Sequence, residues 1–366
     1  MSTKKDKFSK KDKTFMELAL NLAKARHGLT GVNPSVGCVI VKNNEILSIG
    51  QTGFDGTPHA EFNAIKNSNE NLEDAKMYVT LEPCSHYGKT PPCTSIIIKN
   101  KIKEVVYAVE DIDKKVKGKT LKILQSKDIL VKKNLLKNEI NKFYIPYFFN
   151  RKNNLPYVTG KIAISKNNLI YSNDTKRISD IHTDKFTHFL RYKNDSLMIS
   201  SKTLKKDNPK LNCRLEGLNK FSPKRIILDR NLETKKNSYI FKTANKNNTI
   251  FFYHNAKTKE KIMFKKKGIT LIKGKLNKDN LDIKSILKKL YVLGCRNLLV
   301  EGGNDLSKHI VKKKLFNEFY LYKCAKSLSK LVNHKKFSFL NELKKNYKNK
   351  FKINKKLGKD VITLYK

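Results

Sequence analysis

Four residues in this sequence have the types and the spacing that a zinc site with a proton carrier requires. His59 and Glu61 lie in "TPHAEFNAI", and Cys84 and Cys93 lie in "EPCSHYGKTPPC", about twenty residues later. One imidazole and two thiolates fill three corners of a zinc tetrahedron and leave the fourth for water, whose pKa the metal lowers to about 7. Glu61, on the same helical turn as His59, would carry protons as a general acid and base.

The neighbouring residues predict that His59 and Cys93 stand at helix N-termini. Pro58 precedes His59, and two prolines precede Cys93, and proline suits the first turn of a helix. The helix dipole favours a thiolate there. Each residue alone would more often be an ordinary, partly buried loop residue. Their order, a His-x-Glu followed by a Pro-Cys and a second cysteine, is the pattern of zinc nucleobase deaminases and favours the zinc site.

The composition indicates a two-domain intracellular protein. The 366 residues exceed the usual domain size of roughly 100 to 200. No apolar run approaches the ~18 residues of a membrane helix and no signal peptide is evident, so we expect a cytoplasmic protein without a membrane partner. Six cysteines are too few and too scattered for a disulfide framework, which leaves them available as ligands.

The formal charge of +46 raises the question of nucleic-acid binding. The lysines are spread through every segment, often beside asparagine, and do not form one stripe with interleaved aromatic residues. We therefore expect no nucleic-acid partner. The basic surface would still attract anionic, phosphorylated substrates.

Hydrophobic periodicity predicts how the chain is organised. Residues 1–12 are charged and aperiodic, as in a basic disordered tail, and a helix is predicted from Thr14 to His27. Residues 13–150 then read as a sheet covered by helices, with two strands joined at an Asn43-Asn44 turn. After a polar link at residues 150–154, residues 155–366 alternate strands with helices, which predicts a mostly parallel α/β sheet.

The spacing of the cysteines distinguishes among deaminases. Deaminases of cytidine or of tRNA usually have two residues between their cysteines, whereas eight separate Cys84 from Cys93. With "NPSVGCVIV" and "TPHAEFNAI", the segment "EPCSHYGKTPPC" resembles the bifunctional riboflavin biosynthesis deaminases and reductases. The resemblance covers nearly the whole chain beyond the first dozen residues. It implies an α/β fold with an N-terminal cytidine-deaminase-like three-layer domain and a C-terminal dihydrofolate-reductase-like α/β domain.

The resemblance assigns roles in the first domain. His59, Cys84 and Cys93 would bind one zinc ion per chain, and Glu61 would shuttle protons. Asn33 would hold the pyrimidine. The loop "SHYGKTPP" would cover the substrate, and His86 and Lys89 in this loop would contact it. The alternative for these two residues is an ordinary solvated loop. Thr52 stands where the family often has a histidine, which puts one substrate contact in doubt.

In the second domain, Gly302 and Gly303 lie between a predicted strand and a predicted helix, where backbone amides can approach a phosphate, although a tight turn would need the glycines anyway. "PYVTGKIAISKNNLI", "ISSKTLKKDNPKLNCR" and "LLVEGG" are similar to three segments of the riboflavin-pathway reductase, whose donor is NADPH. The implied substrate-binding residues are Lys161, Arg191, Asp207, Leu211, Arg214 and Glu301, with the two arginines at the substrate phosphate. The implied cofactor-binding residues are Ser165, Thr175, Arg177, Ser179, Thr203, Gly302 and Gly303.

The second domain also departs from the family pattern. Asn167 and Asn168 replace the Asp-Gly of an "SxDG" motif, Arg177 replaces a tryptophan, and Asn208 replaces the second of two aspartates. A monofunctional deaminase with a degenerate reductase domain is therefore one alternative. An RNA-base deaminase is another, against which the eight-residue cysteine spacing argues.

The family implies a two-step activity. The first domain would hydrolyse the amine of 2,5-diamino-6-(5-phosphoribosylamino)pyrimidin-4-one, and the second would use NADPH to reduce the ribosyl group of 5-amino-6-(5-phosphoribosylamino)uracil to ribityl. The substrate would be a phosphorylated pyrimidine. A homo-oligomer, either a dimer or a tetramer, is expected from the same resemblance.

Overall fold

The structure is a computed structural model that describes residues 8–88, 90–113, 116–173, 178–353 and 358–366. The chain divides into two compact units, one ending at Asn153 and one beginning at Asn154. Within the described ranges, no helix has both the length and the apolar character that crossing a membrane requires.

The first unit is built on one mixed sheet. Its described strands are β1 (Gly37–Lys42), β2 (Glu45–Gln51), β3 (Lys76–Leu81), β4 (Glu104–Val109) and β5 (Leu130–Lys133), in the order β2-β1-β3-β4-β5. β1 runs antiparallel to β2 and to β3, whereas β3, β4 and β5 are parallel. Its described helices are α1 (Lys10–Arg26), α2 (Ala60–Lys66), α3 (Cys93–Lys99), α4 (Lys119–Gln125) and α5 (Lys137–Asn153).

Two glycines show that helices cover both faces of this sheet. A Cβ on Gly37 would collide with the backbone oxygen of Ala19 in α1, and a Cβ on Gly50 would collide with that of Ala60 in α2. Gly50 pairs with Cys38, the residue after Gly37, so the two glycines face opposite sides of the sheet. The expected three-layer arrangement is thus present, and glycine at these positions lets the helices approach closely.

The chain becomes helical earlier than the sequence analysis expected. α1 begins at Lys10 rather than Thr14, so a disordered tail through residue 12 is wrong at its end. Ser9 caps the helix, since its hydroxyl accepts from the Asp12 amide while the Asp12 carboxylate accepts from the Ser9 amide. Asp12 also forms an ion pair with Lys76 at 2.7 Å and accepts a hydrogen bond from Tyr78, which ties the first turn to β3.

The link expected at residues 150–154 is mostly the last turn of a helix. α5 continues through Asn153 and contains Pro146. Tyr144 is buried in the core of the first unit, and Phe143, Tyr147 and Phe148 pack against that core. This aromatic packing stabilises the helix despite the proline, which costs one backbone hydrogen bond.

The second unit contains a large, mostly parallel sheet, as predicted. Its described strands are β6 (Tyr157–Ile164), β8 (Ser196–Ser200), β9 (Lys224–Leu228), β10 (Thr249–Tyr253), β11 (Thr270–Lys273), β14 (Asn297–Val300), β15 (Glu318–Lys323), β17 (Lys350–Lys352) and β18 (Val361–Tyr365). They follow the order β11-β10-β9-β8-β14-β6-β15-β18-β17, and all neighbours are parallel except the pairs that involve β18. Two small antiparallel pairs add β7 (Leu169–Ser172) with β16 (His334–Lys336) and β12 (Leu276–Asn277) with β13 (Asn280–Leu281).

Two hydrophobic cores flank the large sheet. Ile226 and Leu228 of β9 belong to one core and Ile227 to the other, which is the period-two alternation of a strand buried on both faces. The described helices of this unit are α6 (Ile181–Lys193), α7 (Ser201–Asp207), α8 (Tyr239–Lys242), α9 (Thr258–Lys266), α10 (Ile283–Val292), α11 (Asn304–Lys312) and α12 (Leu340–Asn346).

Candidate functional site

The three predicted zinc ligands converge in the first unit. Cys84 follows the carboxyl end of β3, His59 is the N-cap of α2, and Cys93 is the first residue of α3. The Nδ1 atom of His59 lies 3.5 Å from the Sγ atom of Cys84 and 3.4 Å from the Sγ atom of Cys93. The three ligand atoms lie within 4.8 Å of one another. The positions at two helix N-termini agree with the expectation from the prolines.

This donor set fits zinc. Zinc binds thiolate sulfur at about 2.3 Å and imidazole nitrogen at about 2.0 Å, so the nitrogen-to-sulfur edge of a zinc tetrahedron is about 3.5 Å. The two nitrogen-to-sulfur distances of 3.4 and 3.5 Å match that edge. Two thiolates and one imidazole are also donors that favour zinc over hard cations such as Mg²⁺. Three protein donors leave a fourth corner for water or substrate.

Hydrogen bonds within the cluster already favour ionisation of one thiol. The Cys93 thiol donates to Cys84, the Cys93 amide donates to Cys84 Sγ at 3.2 Å, and His59 adds a further hydrogen bond; together they lower the pKa of Cys84 against the effect of burial. The hydrogen bond with Cys84 raises the pKa of His59. The hydrogen bond that the Cys93 thiol donates to Cys84, together with burial, raises the pKa of Cys93. The cluster therefore offers a thiolate at Cys84, the form of cysteine that binds metal ions.

Glu61 lies directly beside these donors. It is in the first turn of α2 and is only 4% exposed. Burial, together with the neighbouring negative charge of Cys84, raises the pKa of its carboxyl group. A carboxyl group in this position can take up and release a proton while shielded from bulk water.

A cavity of about 180 Å³ opens onto this cluster. Of the residues predicted for the deaminase site, those that line it are Asn33, His59, Glu61, Cys84 and His86. The side-chain amide of Asn33 donates to the Gly56 carbonyl at 2.9 Å. The Nδ1 atom of His86 is buried and has no hydrogen-bond partner within the described part of the chain. Lys89 lies outside the described residues.

Thr52, the departure from the family pattern, also lines this cavity. It is 2% exposed, and its hydroxyl accepts from the Val36 amide at 2.9 Å and donates to the Pro34 carbonyl at 3.2 Å. The hydroxyl thus holds the loop that follows Asn33.

Five charged or aromatic residues of the cavity were missed by the sequence analysis. Glu82 follows β3, Asp111 and Asp113 follow β4, and Tyr147 and Arg151 lie four residues apart on α5. The acidic residues could have been found, because ligand sites gather at the carboxyl ends of parallel strands. The helical pair could not, because the sequence analysis placed Arg151 in a link between domains.

In the second unit a cavity of about 530 Å³ collects most of the residues predicted for the reductase site. The predicted residues that line it are Lys161, Ser179, Arg191, Thr203, Asp207, Leu211, Glu301, Gly302 and Gly303. Leu211 is buried with a φ of 54°, an uncommon backbone conformation for a bulky residue that marks local strain at the cavity wall. Thr175 and Arg177 lie outside the described residues.

A buried ion pair spans this cavity wall. Arg191 of α6 donates from Nε to Glu301 Oε1 at 2.6 Å and from its NH2 group to Glu301 Oε2 at 2.9 Å. Its NH1 group donates to the Asn212 carbonyl at 3.0 Å. Although burial opposes ionisation, the charge and hydrogen bonds of Arg191 lower the pKa of Glu301 to about 2. Arg191 therefore fixes the position of the Glu301 carboxylate. The sequence analysis predicted a phosphate contact for Arg191 and not this one.

Lys161 lies close to this pair. It is in β6 opposite Tyr320 of β15, and its Nζ atom lies 4.9 Å from the centre of the Tyr322 ring. Burial lowers the pKa of Lys161, while the charge of Glu301 opposes that shift.

The turn at Gly302 and Gly303 joins β14 to α11. A Cβ on Gly302 would lie 2.9 Å from Ser307 Oγ in the first turns of the helix, so this glycine permits close packing. Gly303 is the N-cap of α11, and a Cβ there would only make ordinary contact with Thr203 Oγ1 at 3.5 Å. Close packing thus explains why residue 302 is a glycine, but it does not explain the glycine at 303. Close approach of a ligand to the backbone would explain Gly303.

Two predicted residues are not among those lining the cavity. Ser165 is fully buried in the turn between β6 and β7, where its hydroxyl accepts from the Leu169 amide at 2.9 Å. Arg214 is exposed and donates to the Asn212 side chain at 2.9 Å, and its own amide donates to His188.

Three of the departures have local explanations. Asn167 accepts from the Leu328 amide at 3.1 Å and donates to the Leu328 carbonyl at 2.7 Å. Asn168 has a φ of 62° and Asn208 a φ of 40°, and asparagine tolerates this left-handed region better than most residues. The asparagines therefore keep the turns intact.

A further cavity of about 500 Å³ adjoins the reductase cavity and was not foreseen. The two share Ser200, Lys202, Asp305 and Leu306. Arg230 and His309 also line it. The two cavities therefore adjoin at the Lys202 and Asp305 side chains.

Comparison with known proteins identifies the family. Residues 9–109 match the family model of the cytidine and deoxycytidylate deaminase zinc-binding region, and residues 156–362 match that of the RibD C-terminal domain. Riboflavin biosynthesis protein RibD of Aquifex aeolicus (strain VF5) is 31% identical over 357 residues, 97% of this chain and 98% of that protein. The chain belongs to the RibD family of riboflavin biosynthesis deaminases and reductases.

Solved structures of RibD proteins resemble the whole chain. Acinetobacter baumannii RibD, form 2, superimposes with a TM-score of 0.83 at 25% identity, covering 97% of this chain and 98% of that one. The diaminohydroxyphosphoribosylaminopyrimidine deaminase/5-amino-6-(5-phosphoribosylamino)uracil reductase of Thermotoga maritima has a TM-score of 0.80 at 28% identity, with the same coverage. The fold class expected from the sequence is confirmed.

Membership in the RibD family makes this protein a bifunctional enzyme of riboflavin biosynthesis, a deaminase and a pyrimidine reductase. It implies zinc in the first unit and a nicotinamide cofactor in the second. The alternatives of a monofunctional deaminase and of an RNA-base deaminase are not favoured.

The buried pair of Arg191 and Glu301 predicts a stability effect. Arg191→Leu leaves the Glu301 carboxylate buried without its partner, and we expect it to destabilise the second unit by about 3 to 5 kcal/mol in urea unfolding at pH 7. Arg214→Leu, at an exposed site, is the control and should change stability by less than about 0.5 kcal/mol.

The pH dependence of this effect has a defined sign. The folded-state pKa of Glu301 is depressed to about 2, so the pair stabilises the folded state above the unfolded pKa of about 4.3 and loses this contribution as the pH falls towards 2. The difference between the wild type and Arg191→Leu should therefore shrink below about pH 4. An equal difference at pH 3 and pH 7 would contradict this account.

Proposed function

We propose that this enzyme first hydrolyses the amine of 2,5-diamino-6-(5-phosphoribosylamino)pyrimidin-4-one and then reduces the ribosyl group of 5-amino-6-(5-phosphoribosylamino)uracil to ribityl. One zinc ion per chain would serve the first step and NADPH the second. The observation that carries the proposal is the convergence of His59, Cys84 and Cys93 beside the buried carboxyl group of Glu61 at the wall of a cavity.

In the deamination step His59, Cys84 and Cys93 would hold the zinc ion. When bound, zinc would supply a positive charge that activates water for attack on the ring carbon bearing the amine. Glu61 would accept one proton from that water and deliver it to the ring nitrogen, and would then carry the second proton of the added water to the amine, which departs as ammonia. Its burial keeps bulk solvent from competing for the proton.

Residues around the cavity would hold the pyrimidine. Asn33 and His86 both line it, and the buried Nδ1 of His86, which has no partner among the described residues, could exchange a hydrogen bond with the ring. Lys89 is proposed from the family resemblance alone, since it lies outside the described residues.

In the reduction step, NADPH, when bound, would supply the hydride that reduces C1′ of the opened ribose or imine, and a proton from the protein would complete the ribitylamine. Lys161 would stabilise the negative charge that develops next to C1′ and supply that proton, which its lowered pKa favours. Asp207 and Leu211 would border the substrate, and Glu301, fixed by Arg191, would bind the ribose. We assign the substrate phosphate to the exposed Arg214 rather than to Arg191, whose nitrogens bind Glu301 and Asn212.

The choice of NADPH is supported by the two adjoining cavities. Ser179, Thr203 and Gly303 line the first, where the nicotinamide half would lie next to Lys161, and Gly302 keeps α11 close to the turn. Lys202 and Arg230 line the second and offer positive charge to the additional phosphate of NADPH. Ser165 would act by shaping the β6–β7 turn, and Thr175 and Arg177 are proposed from the resemblance alone.

Assembly and location complete the proposal. A cytoplasmic homo-oligomer, a dimer or a tetramer, is proposed from the family resemblance. Exposed Ile46 and Ile49 on the edge strand β2, and exposed Phe62 on α2, are compatible with a contact between copies.

Variants of the zinc site test the deaminase. Glu61→Gln should retain about one zinc ion per chain while deamination, followed by ultraviolet absorbance, falls at least about 100-fold, because only the proton carrier is removed. Cys84→Ser should lose both the zinc and the activity, because a ligand is removed. Glu70→Gln, at an exposed position, is the control and should match the wild type. Active wild-type protein without zinc would refute the mechanism.

Removal of Lys161 tests the reductase. Lys161→Met should reduce NADPH oxidation with the deaminated intermediate by about 100-fold or more, because a preorganised charge is lost, while deamination remains unchanged. Lys166→Met, at an exposed position in the same segment, should leave both activities intact. Wild-type protein that deaminates but does not oxidise NADPH would instead favour a degenerate second unit.

A further inference from the structure

The last turn of α5 places Arg151 at the mouth of the deaminase cavity. Its side chain lines the cavity and is 32% exposed. The aromatic side chains Tyr144, Tyr147 and Phe148 anchor the helix against the core of the first unit. Arg151 therefore projects from a rigid element.

Contacts with Asp113 and Tyr147, both in the described part of the chain, orient the guanidinium group of Arg151. Its NH1 nitrogen lies 3.8 Å from the Asp113 carboxylate, and its central carbon lies 5.4 Å from the centre of the Tyr147 ring. Tyr147, one helical turn earlier, donates from its hydroxyl to Asp111 at 3.1 Å. The two aspartates after β4 thus hold both members of the helical pair, Asp113 through charge and Asp111 through a hydrogen bond.

The charges around the cavity make this arginine distinctive. Four carboxyl groups line the wall, those of Glu61, Glu82, Asp111 and Asp113. Among the described lining residues, Arg151 is the one lysine or arginine. A phosphorylated substrate is strongly anionic, and a guanidinium group among these carboxyl groups would offset the repulsion between them and the phosphate.

The position of Arg151 suits the far end of an extended substrate. The zinc ligand Cys84 follows β3, and Asp111 and Asp113 follow β4, its parallel neighbour about 4.8 Å away. Arg151 comes next, on the helix that packs against β4. A pyrimidine ring at the metal ligands would thus direct its sugar along the carboxyl edge of the sheet, past the aspartates and towards Arg151.

We propose that Arg151 binds the 5′-phosphate of the pyrimidine substrate during deamination and makes the deaminase specific for the phosphorylated compound. This inference rests on the proposed function, because it takes the deamination substrate to be a phosphorylated ribosylaminopyrimidine. The planar guanidinium group can bind two phosphate oxygens at once, which a lysine cannot do with the same geometry. Asp113 and Tyr147 act as positioning residues that hold the guanidinium group in place.

The test compares deamination of the phosphorylated substrate with deamination of its dephosphorylated counterpart, without NADPH so that only the first step is followed. The wild type should prefer the phosphorylated compound. In Arg151→Gln, kcat/KM for that compound should fall about 10- to 100-fold, mainly through KM, because a charge-assisted hydrogen bond is lost. The value for the dephosphorylated compound should stay within about twofold. Arg151→Lys should give an intermediate preference, because lysine keeps the positive charge but lacks the planar group that can bind two phosphate oxygens at once.

The control is Lys152→Gln, which removes the same charge from the adjacent exposed residue and should leave the preference unchanged. Inorganic phosphate offers a second readout: it should inhibit the wild type competitively and Arg151→Gln at least about tenfold less.

Three results would overturn the inference: a wild type that deaminates both compounds equally, an Arg151→Gln variant in which both values fall together, or a Lys152→Gln variant that matches Arg151→Gln. The second would indicate a purely structural role for Arg151. If Arg151→Gln does not fold, equal preference in the wild type and Arg151→Lys would also overturn it. A wild type that deaminates neither compound would refute the proposed function itself, which distinguishes the two failures.

Discussion

The first unit depends on the convergence of two thiols, one imidazole and one carboxyl group in a space that excludes most water. Their ligand atoms can meet because β3 ends beside the N-termini of α2 and α3, so that a strand end and two helix starts supply one donor each. The backbone amide of Cys93, at the start of α3, donates to Cys84 Sγ and offsets part of the cost of ionising that thiol. A thiolate is a metal ligand, and the donor distances fit zinc.

The second unit meets a similar constraint without a metal. A carboxylate and a guanidinium group are buried together at a cavity wall, where two guanidinium nitrogens donate hydrogen bonds to the two carboxylate oxygens. Glu301 is thereby kept ionised and fixed in direction next to Lys161. A lysine whose pKa is lowered by burial and a carboxylate whose pKa is lowered by its arginine partner provide two distinct functional groups within one site.

The sequence predicted local features well and long-range ones poorly. The cluster of His59, Cys84 and Cys93 could be predicted because each residue lies in a short motif. Most strands of the second unit could be predicted because strands buried on both faces are continuous apolar runs. The pairing of Arg191 with Glu301 joins residues 110 positions apart, and no local pattern reveals it. Arg151 was missed because polar residues and a nearby proline resemble a link, whereas aromatic packing carries α5 through them. The start of α1 was placed too late because the charged residue Asp12 acts as a cap and an ion-pair partner rather than as part of a solvated tail.

X-ray absorption at the zinc edge of the purified protein would test the central claim most directly. The account predicts about one zinc ion per chain with two sulfur ligands at about 2.3 Å and two nitrogen or oxygen ligands at about 2.0 Å, one from His59 and one from water or substrate. A first shell of four sulfur atoms, or one with no sulfur, would contradict the assignment of His59, Cys84 and Cys93 as the ligands of an open, catalytic site.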